Sequence, residues 1–195
     1  MKKLFGAVFL ALVAVLPLSA FAQDEEESAA PPAFVERAPG EPMTVERLET
    51  IIRIFDPEAE RNLNSFSFKM PVQGMELNIQ VITDPAAGRM RIVIPIVMET
   101  SLGPERIKRI MQANFDSALD ARYALAQGVL WATFIHPLSS LSDEEFLSGL
   151  SQTLNLAATY GSTYSSGLFV FGGGDSQGIL DGLLEDYRRK LEPEV

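Results

Sequence analysis

The sequence predicts an α+β fold: a helix, three antiparallel strands, a second helix, a β-hairpin and a third helix, then a C-terminal helix after a glycine-rich linker. Three observations carry this expectation. Apolar residues recur every three to four positions in four separate stretches, the spacing that gives a helix one buried stripe. Between the first two helices they recur at every second position, the spacing of strands with one face buried. Gly, Pro and Asp mark the boundaries between these stretches.

Before the fold begins, Lys2 and Lys3 are followed by an apolar run from Leu4 to Leu16, then Pro17 and Ala20-Phe21-Ala22. Positive charge, a short apolar core and a small-x-small site together make a secretory signal over residues 1–22. The run is shorter than the roughly 20 residues a spanning helix requires, so no integral membrane segment is expected after cleavage. No cysteine occurs in the chain, which excludes a lipid anchor through cysteine. The mature protein is expected to begin at Gln23 in the periplasm of a Gram-negative bacterium. Residues 23–42 hold Asp24-Glu25-Glu26-Glu27 and four prolines, with only Phe34 and Val35 to bury, and read as an acidic, disordered spacer.

The domain is expected over residues 43–161. Thr44 can cap a helix whose stripe is Val45, Leu48, Ile51, Ile52 and Phe55, and Asp56-Pro57 stops it. Three strands follow, carrying Phe66 and Phe68, then Met75, Leu77, Ile79 and Val81, then Met90, Ile92, Ile94 and Ile96, with Arg89 and Arg91 facing outward. Pro95 cannot donate a ladder hydrogen bond, so the third strand is expected at a sheet edge or with a bulge there. Gly103-Pro104 opens a second helix with the stripe Ile107, Ile110, Met111 and Phe115. Leu119, Ala121, Tyr123 and Leu125 in alternation, a turn at Ala126-Gln127-Gly128, and Val129 to Ile135 read as a hairpin. Ser142-Asp143-Glu144-Glu145 is a capping box, so a third helix starts there, with Phe146, Leu147, Leu150, Leu154 and Ala158 facing the core.

Residues 162–178 read as a linker containing a short apolar run, Leu168 to Phe171, and Gly172-Gly173-Gly174. Residues 179–195 form the last helix, with the stripe Ile179, Leu180, Leu183, Leu184, Tyr187 and Leu191.

Composition narrows the chemistry. Without cysteine there is neither thiol catalysis nor a thiolate metal site. A formal charge of −10, more negative once Lys2 and Lys3 are removed, argues against nucleic acid and anionic lipid. The single histidine, His136, has no second histidine and no Gly-x-Ser-x-Gly elbow to complete a triad. Gly173 and Gly178 have the spacing of a phosphate loop, but Ile179 and Leu180 stand where Lys and Ser or Thr are needed. Glu46 with Glu49, and Asp143 to Glu145, lie in opening helical turns, where acids complement the helix dipole. No catalytic, cofactor or metal residue is therefore assigned. Arg89 and Arg91 could gather with Arg106, Lys108 and Arg109 into a basic patch for an acidic segment, against the plainer reading of scattered solvated charges.

The order of elements from Thr44 to Tyr160 resembles the type III secretion chaperone-like fold and, within it, the YbjN-type family. The residues carrying the likeness are Asn114, Ala121-Arg122-Tyr123-Ala124-Leu125, Gly128, Leu130-Trp131-Ala132 and Ser142-Asp143-Glu144-Glu145-Phe146. The resemblance implies a small acidic homodimer that holds a protein partner or an extended peptide segment, without cofactor or catalysis. It implies dimer or partner contacts at Ile107, Ile110 and Met111, and the last helix adds Ile179, Leu183, Leu184 and Tyr187. An edge strand near Pro95 would suit strand addition. Two other readings stand beside it: an envelope hydrolase using His136, and a structural adaptor attached through the C-terminal helix.

Overall fold

The structure is a computed structural model that describes residues 41–165 and 176–191, with Leu191 described by its backbone alone. The expected signal at 1–22, the spacer up to residue 40, the run Leu168 to Phe171 and Gly172-Gly173-Gly174 lie outside the described residues.

Helix α1 (Val45–Phe55) begins where Thr44 accepts a hydrogen bond from the Arg47 N–H and ends at Asp56. Its Leu48, Ile51 and Ile52 are buried. Four strands follow where three were expected: β1 (Glu60–Asn62), β2 (Ser65–Val72), β3 (Met75–Asp84) and β4 (Arg89–Met98). Strand β1 is exposed along its whole length, so it has no apolar alternation to betray it; pairing with Ser65 to Ser67 of β2 creates it. Helix α2 (Pro104–Asp116), strands β5 (Arg122–Ala126) and β6 (Val129–Pro137), α3 (Asp143–Ala158) and α4 (Gln177–Leu191) complete the order.

The six strands form one antiparallel sheet in the order β1-β2-β3-β4-β6-β5. Of the three two-residue hairpins, β1–β2 turns at Leu63-Asn64, and the other two turn on a Gln-Gly pair, Gln73-Gly74 and Gln127-Gly128, with all four of these residues at positive φ. That geometry matches the twist of the strands it joins, and glycine takes the second position without a Cβ penalty. The expected first strand of the second hairpin is shorter than its alternation suggested. Leu119 to Ala121 precede it, and the Asp120 and Ala121 N–H groups donate to Gln152 of α3 instead.

Pro95 does not lie on an edge strand, because β4 sits between β3 and β6. Two features accommodate it. The β3–β4 ladder ends at Gln80 opposite Val93, two residues short of Pro95, and the β4–β6 register shifts between Pro95 and Val97. The bulge half of the expectation holds, and the edge half is replaced by a local parting of two interior strands.

One face of the sheet is the core. Phe66, Ile79, Met90, Ile92, Ile94 and Leu130 meet Phe146, Leu147 and Leu150 of α3, all at most 2% exposed. Each such side chain stabilises the fold by about 1.5–3 kcal/mol through burial. Helix α3 crosses this face and α4 packs on α3 and α1. Covered from several sides, α3 buries Ser151, Gln152, Thr153 and Asn155 as well as its apolar stripe. Most of their polar groups bond nearby, as where the Thr153 hydroxyl donates to the Gly149 carbonyl at 2.6 Å and the Asn155 amide nitrogen donates to the Ser165 carbonyl at 2.9 Å, while the Asn155 Oδ1 is buried without a hydrogen-bond partner among the described residues. Residues Tyr164 and Ser165, read from the sequence as linker, are buried and bonded to α2 and α3: the Ser117 hydroxyl donates to the Tyr164 carbonyl, and Thr159 bonds both backbone groups of Ser165.

Candidate functional site

No helix among the described residues is long and apolar enough to cross a membrane, and no cluster of three or more His, Asp or Glu side chains gathers there to hold a metal ion. The surfaces with unspent binding capacity are the outward face of the sheet and one side of α2.

The cross-strand registers define the outward face. Arg89, Arg91, Val93 and Pro95 of β4 lie opposite Pro137, Ile135, Thr133 and Trp131 of β6, and Thr133 and Trp131 lie opposite Arg122 and Ala124 of β5. Ile82 of β3 continues the row beside Arg91. Ile82 and Ile135 are exposed, and Val93, Trp131 and Thr133 are half-buried. The strands here are apolar on both faces, a signal that reading them only for a core-facing alternation passes over. The Trp131 indole N–H donates to the Ala126 carbonyl at 2.9 Å, which fixes the ring across the mouth of the hairpin.

Helix α2 divides the stripe expected of it. Ile110, with Ala113, is buried in the domain's own core. Ile107 is half-buried, while Met111 and Phe115, one turn apart, are 62% and 90% exposed. The helix covers the edge of β5, where Asn114 bonds the Tyr123 backbone. The expected basic patch forms only in part: Arg89 and Arg91 share the sheet face with Arg122, whereas the exposed Arg109 lies 5.2 Å over the Tyr164 ring.

The C-terminal contacts belong to a different neighbourhood. Leu183 and Tyr187 are buried against the domain, and Ile179, Leu180 and Leu184 are partly buried. The seven side chains expected to make contacts thus divide between α2, on the β5 side, and α4, on the α1–α3 side. A polar clamp fastens α4: the Arg47 guanidinium donates to Asp143 and, at 3.1 Å, to the Tyr187 hydroxyl, which itself donates to Asp143. Burial and the Asp143 carboxylate together hold the Tyr187 hydroxyl well above its ordinary pKa, in the neutral, donating form. Burial works against the Arg47 charge, but its bonds to Asp143 outweigh this and raise its pKa further.

His136 lies on the core-facing side of β6, half-buried, its ring stacked on Phe134 with centroids 5.8 Å apart. Its Nδ1 is 2.8 Å from the Pro137 carbonyl oxygen, and among the described residues no carboxylate or hydroxyl bonds to it. Glu46 and Glu49 bond Arg61, and Glu49 also bonds Arg53, so the carboxylates of α1 are committed to ion pairs.

No family model matches the chain, and no curated protein matches it. Among solved structures, the chain is similar to one described as the crystal structure of the ExsC-ExsE complex, with a TM-score of 0.43 and 15% identity, over 57% of this chain and 85% of that one. It is also similar to one described as the structure of the HopA1-SchA chaperone-effector complex, with a TM-score of 0.34 and 13% identity, over 49% of this chain and 75% of that one.

Proposed function

We propose that the protein is an exported, non-enzymatic protein-binding module, chaperone-like or regulatory, that works in the periplasm as a homodimer. The observation that carries this reading is the exposed pair Met111 and Phe115 on α2, on a domain whose outward sheet face is also uncovered by any described helix. Monomeric proteins rarely leave large apolar side chains clustered in water without a partner for them. The surroundings of His136 offer it no catalytic companion, which weighs against the hydrolase reading. The apolar side of α4 packs on α1 and α3, which weighs against an adaptor held by that helix.

The periplasmic location rests on residues 1–22. Intact-mass measurement on periplasmic protein tests it, with a product beginning at Gln23 expected and one that retains Met1 to Ala22 overturning it. The binding reading is tested by capture from periplasmic extract with the mature protein, where a specific, saturable protein partner is expected. Hydrolytic turnover that disappears in His136→Ala would overturn the non-enzymatic reading.

A further inference from the structure

Charge is unevenly distributed over the outward sheet face. On β4, β6 and β5 the outward positions include Arg89, Arg91 and Arg122 and not one Asp or Glu, in a chain with 26 acidic and 16 basic residues. None of these three arginines makes an ion pair among the described residues, whereas Arg47, Arg53 and Arg61 all do. Around Arg91 and Arg122 the setting is apolar, with Ile82 beside Arg91, Ile135 opposite it, and Val93 and Thr133 between it and Arg122, whereas Arg89 lies opposite Asp84 of β3.

We infer that the outward face of β4, β6 and β5 is a docking surface for an extended segment of a partner protein carrying both carboxylates and apolar side chains. This inference rests on the protein-binding reading and gives that partner its chemistry. Same-face neighbours on one strand are about 7 Å apart, which is also the repeat of alternate side chains in an extended peptide. A segment lying along β4 with carboxylates at alternate positions therefore meets Arg89 and Arg91 in step, and its next inward side chains reach Val93 and Pro95. Arg122 lies two strands across, about 10 Å away, within reach of a third carboxylate. Arginine suits the role because its planar fork grips a carboxylate through two hydrogen bonds. A second copy of this chain fits poorly, since a two-fold contact through this face brings arginines against arginines.

Trp131, the chain's single tryptophan, stands on this face and reports on it. The experiment titrates the full mature protein with the eight-residue peptide Glu-Ser-Glu-Ser-Val-Ser-Val-Ser, which in extended form puts two Glu and then two Val on one face, and with its counterpart in which Gln replaces Glu, following Trp131 emission. The Glu peptide is expected to shift the emission to shorter wavelength, to bind about tenfold more tightly than the Gln peptide, and to lose about tenfold in Arg91→Glu and in Arg122→Glu. Thermal melts of the two variants check that they fold. Equal binding of the two peptides, or Glu-peptide binding untouched by both reversals in folded variants, would overturn the inference. So would dissociation of a dimer by the reversals, which would place a second copy on the face. A shift in Trp131 emission on replacing Asp24, Glu25, Glu26 and Glu27 by Gln, with no peptide present, would instead assign the face to the chain's own acidic segment and overturn it too. Capture of a periplasmic protein that survives both reversals removes this face and leaves the protein-binding reading standing. Peptide binding by a protein that captures nothing does the opposite.

Discussion

The Asn114 side-chain amide bonds both backbone groups of Tyr123, its oxygen accepting from the N–H at 2.8 Å and its nitrogen donating to the carbonyl at 3.0 Å. One side chain of α2 thus stands where the next strand of the sheet would be, and satisfies the outermost strand, β5, at that residue. Unpaired strand edges recruit other chains, so this contact closes a route to aggregation as well as holding α2 in place. Asn114→Ala leaves the partly buried Tyr123 backbone without these bonds and is expected to cost about 1–3 kcal/mol. Denaturant unfolding measures the loss, and a faster rise in light scattering on mild heating would report the opened edge.

The clamp of Arg47, Asp143 and Tyr187 joins the start of α1, the start of α3 and the last turns of α4. Tyr187→Phe removes a hydroxyl bonded to a charged pair and is expected to lower stability by about 1.5–3 kcal/mol. Truncation after Phe171 removes both the clamp and the burial of Leu183, so the melting temperature should fall by several degrees, at roughly 2–4 °C per kcal/mol. Calorimetry on the three proteins decides it: an unchanged midpoint on truncation would mean that α4 does not stabilise its own domain.

Gly149 lies in the middle of α3, where a Cβ would stand 2.5 Å from the Phe134 ring. Helix propensity favours alanine over glycine by up to about 1 kcal/mol, but the clash opposes it. Phe134 is itself buried with little room to move, so overpacking at about 1–3 kcal/mol should prevail. Gly149→Ala is expected to lower the melting temperature, and adding Phe134→Leu should recover part of the loss; full additivity of the two changes would argue against the contact.

Glu49 faces two arginines. Burial alone would raise its pKa, but its bonds to Arg61 and Arg53 outweigh that and hold it below the ordinary value of 4.5. A depressed folded pKa stabilises the native state above the unfolded pKa, and that contribution is lost as the pH falls through the folded value. Between pH 5 and pH 2 the wild type should therefore lose more stability than Glu49→Gln. Urea midpoints measured across that range would show the two curves converging as the pH falls, and parallel curves would contradict it.

Met111 and Phe115 are exposed, so replacing either with Glu should leave the folding of an isolated domain almost unchanged, within about 0.5 kcal/mol. If α2 contributes to a homodimer, an unpaired charge there is costly and the dimer should weaken. Light scattering on the mature protein is expected to give twice the monomer mass, and both variants should shift it toward the monomer. A monomeric wild type would remove the dimer while leaving Met111 and Phe115 available to another partner.

Local chemistry was legible in the sequence wherever a short-range rule governs it. The Ser142–Glu145 capping box forms with both of its hydrogen bonds, Thr44 caps α1, and Pro104 opens α2. The period-two strands fall where the alternation placed them, and the bulge at Pro95 follows from a missing N–H. Strand β1 was not legible, since three exposed polar residues have no periodicity and acquire strand form only by pairing. The stripe on α2 did not separate the buried Ile110 from the exposed Met111 and Phe115 for a related reason: spacing locates a helix's apolar side, but not how much of that side the domain covers.

The α+β class and the position of nearly every helix and strand were thus determined by the sequence alone, because capping, turn chemistry and hydrophobic period act within a few residues. Only the tertiary structure decided which apolar residues remain available. Burial is a relation between distant segments: the same spacing buries Leu183 under α1 and α3 and leaves Phe115 in water. The sheet order likewise gathers Arg89, Arg91 and Arg122, up to 33 positions apart in the chain, on one face with Trp131 and Ile135. No local rule could bring them together, since their proximity exists only once β4, β6 and β5 have paired.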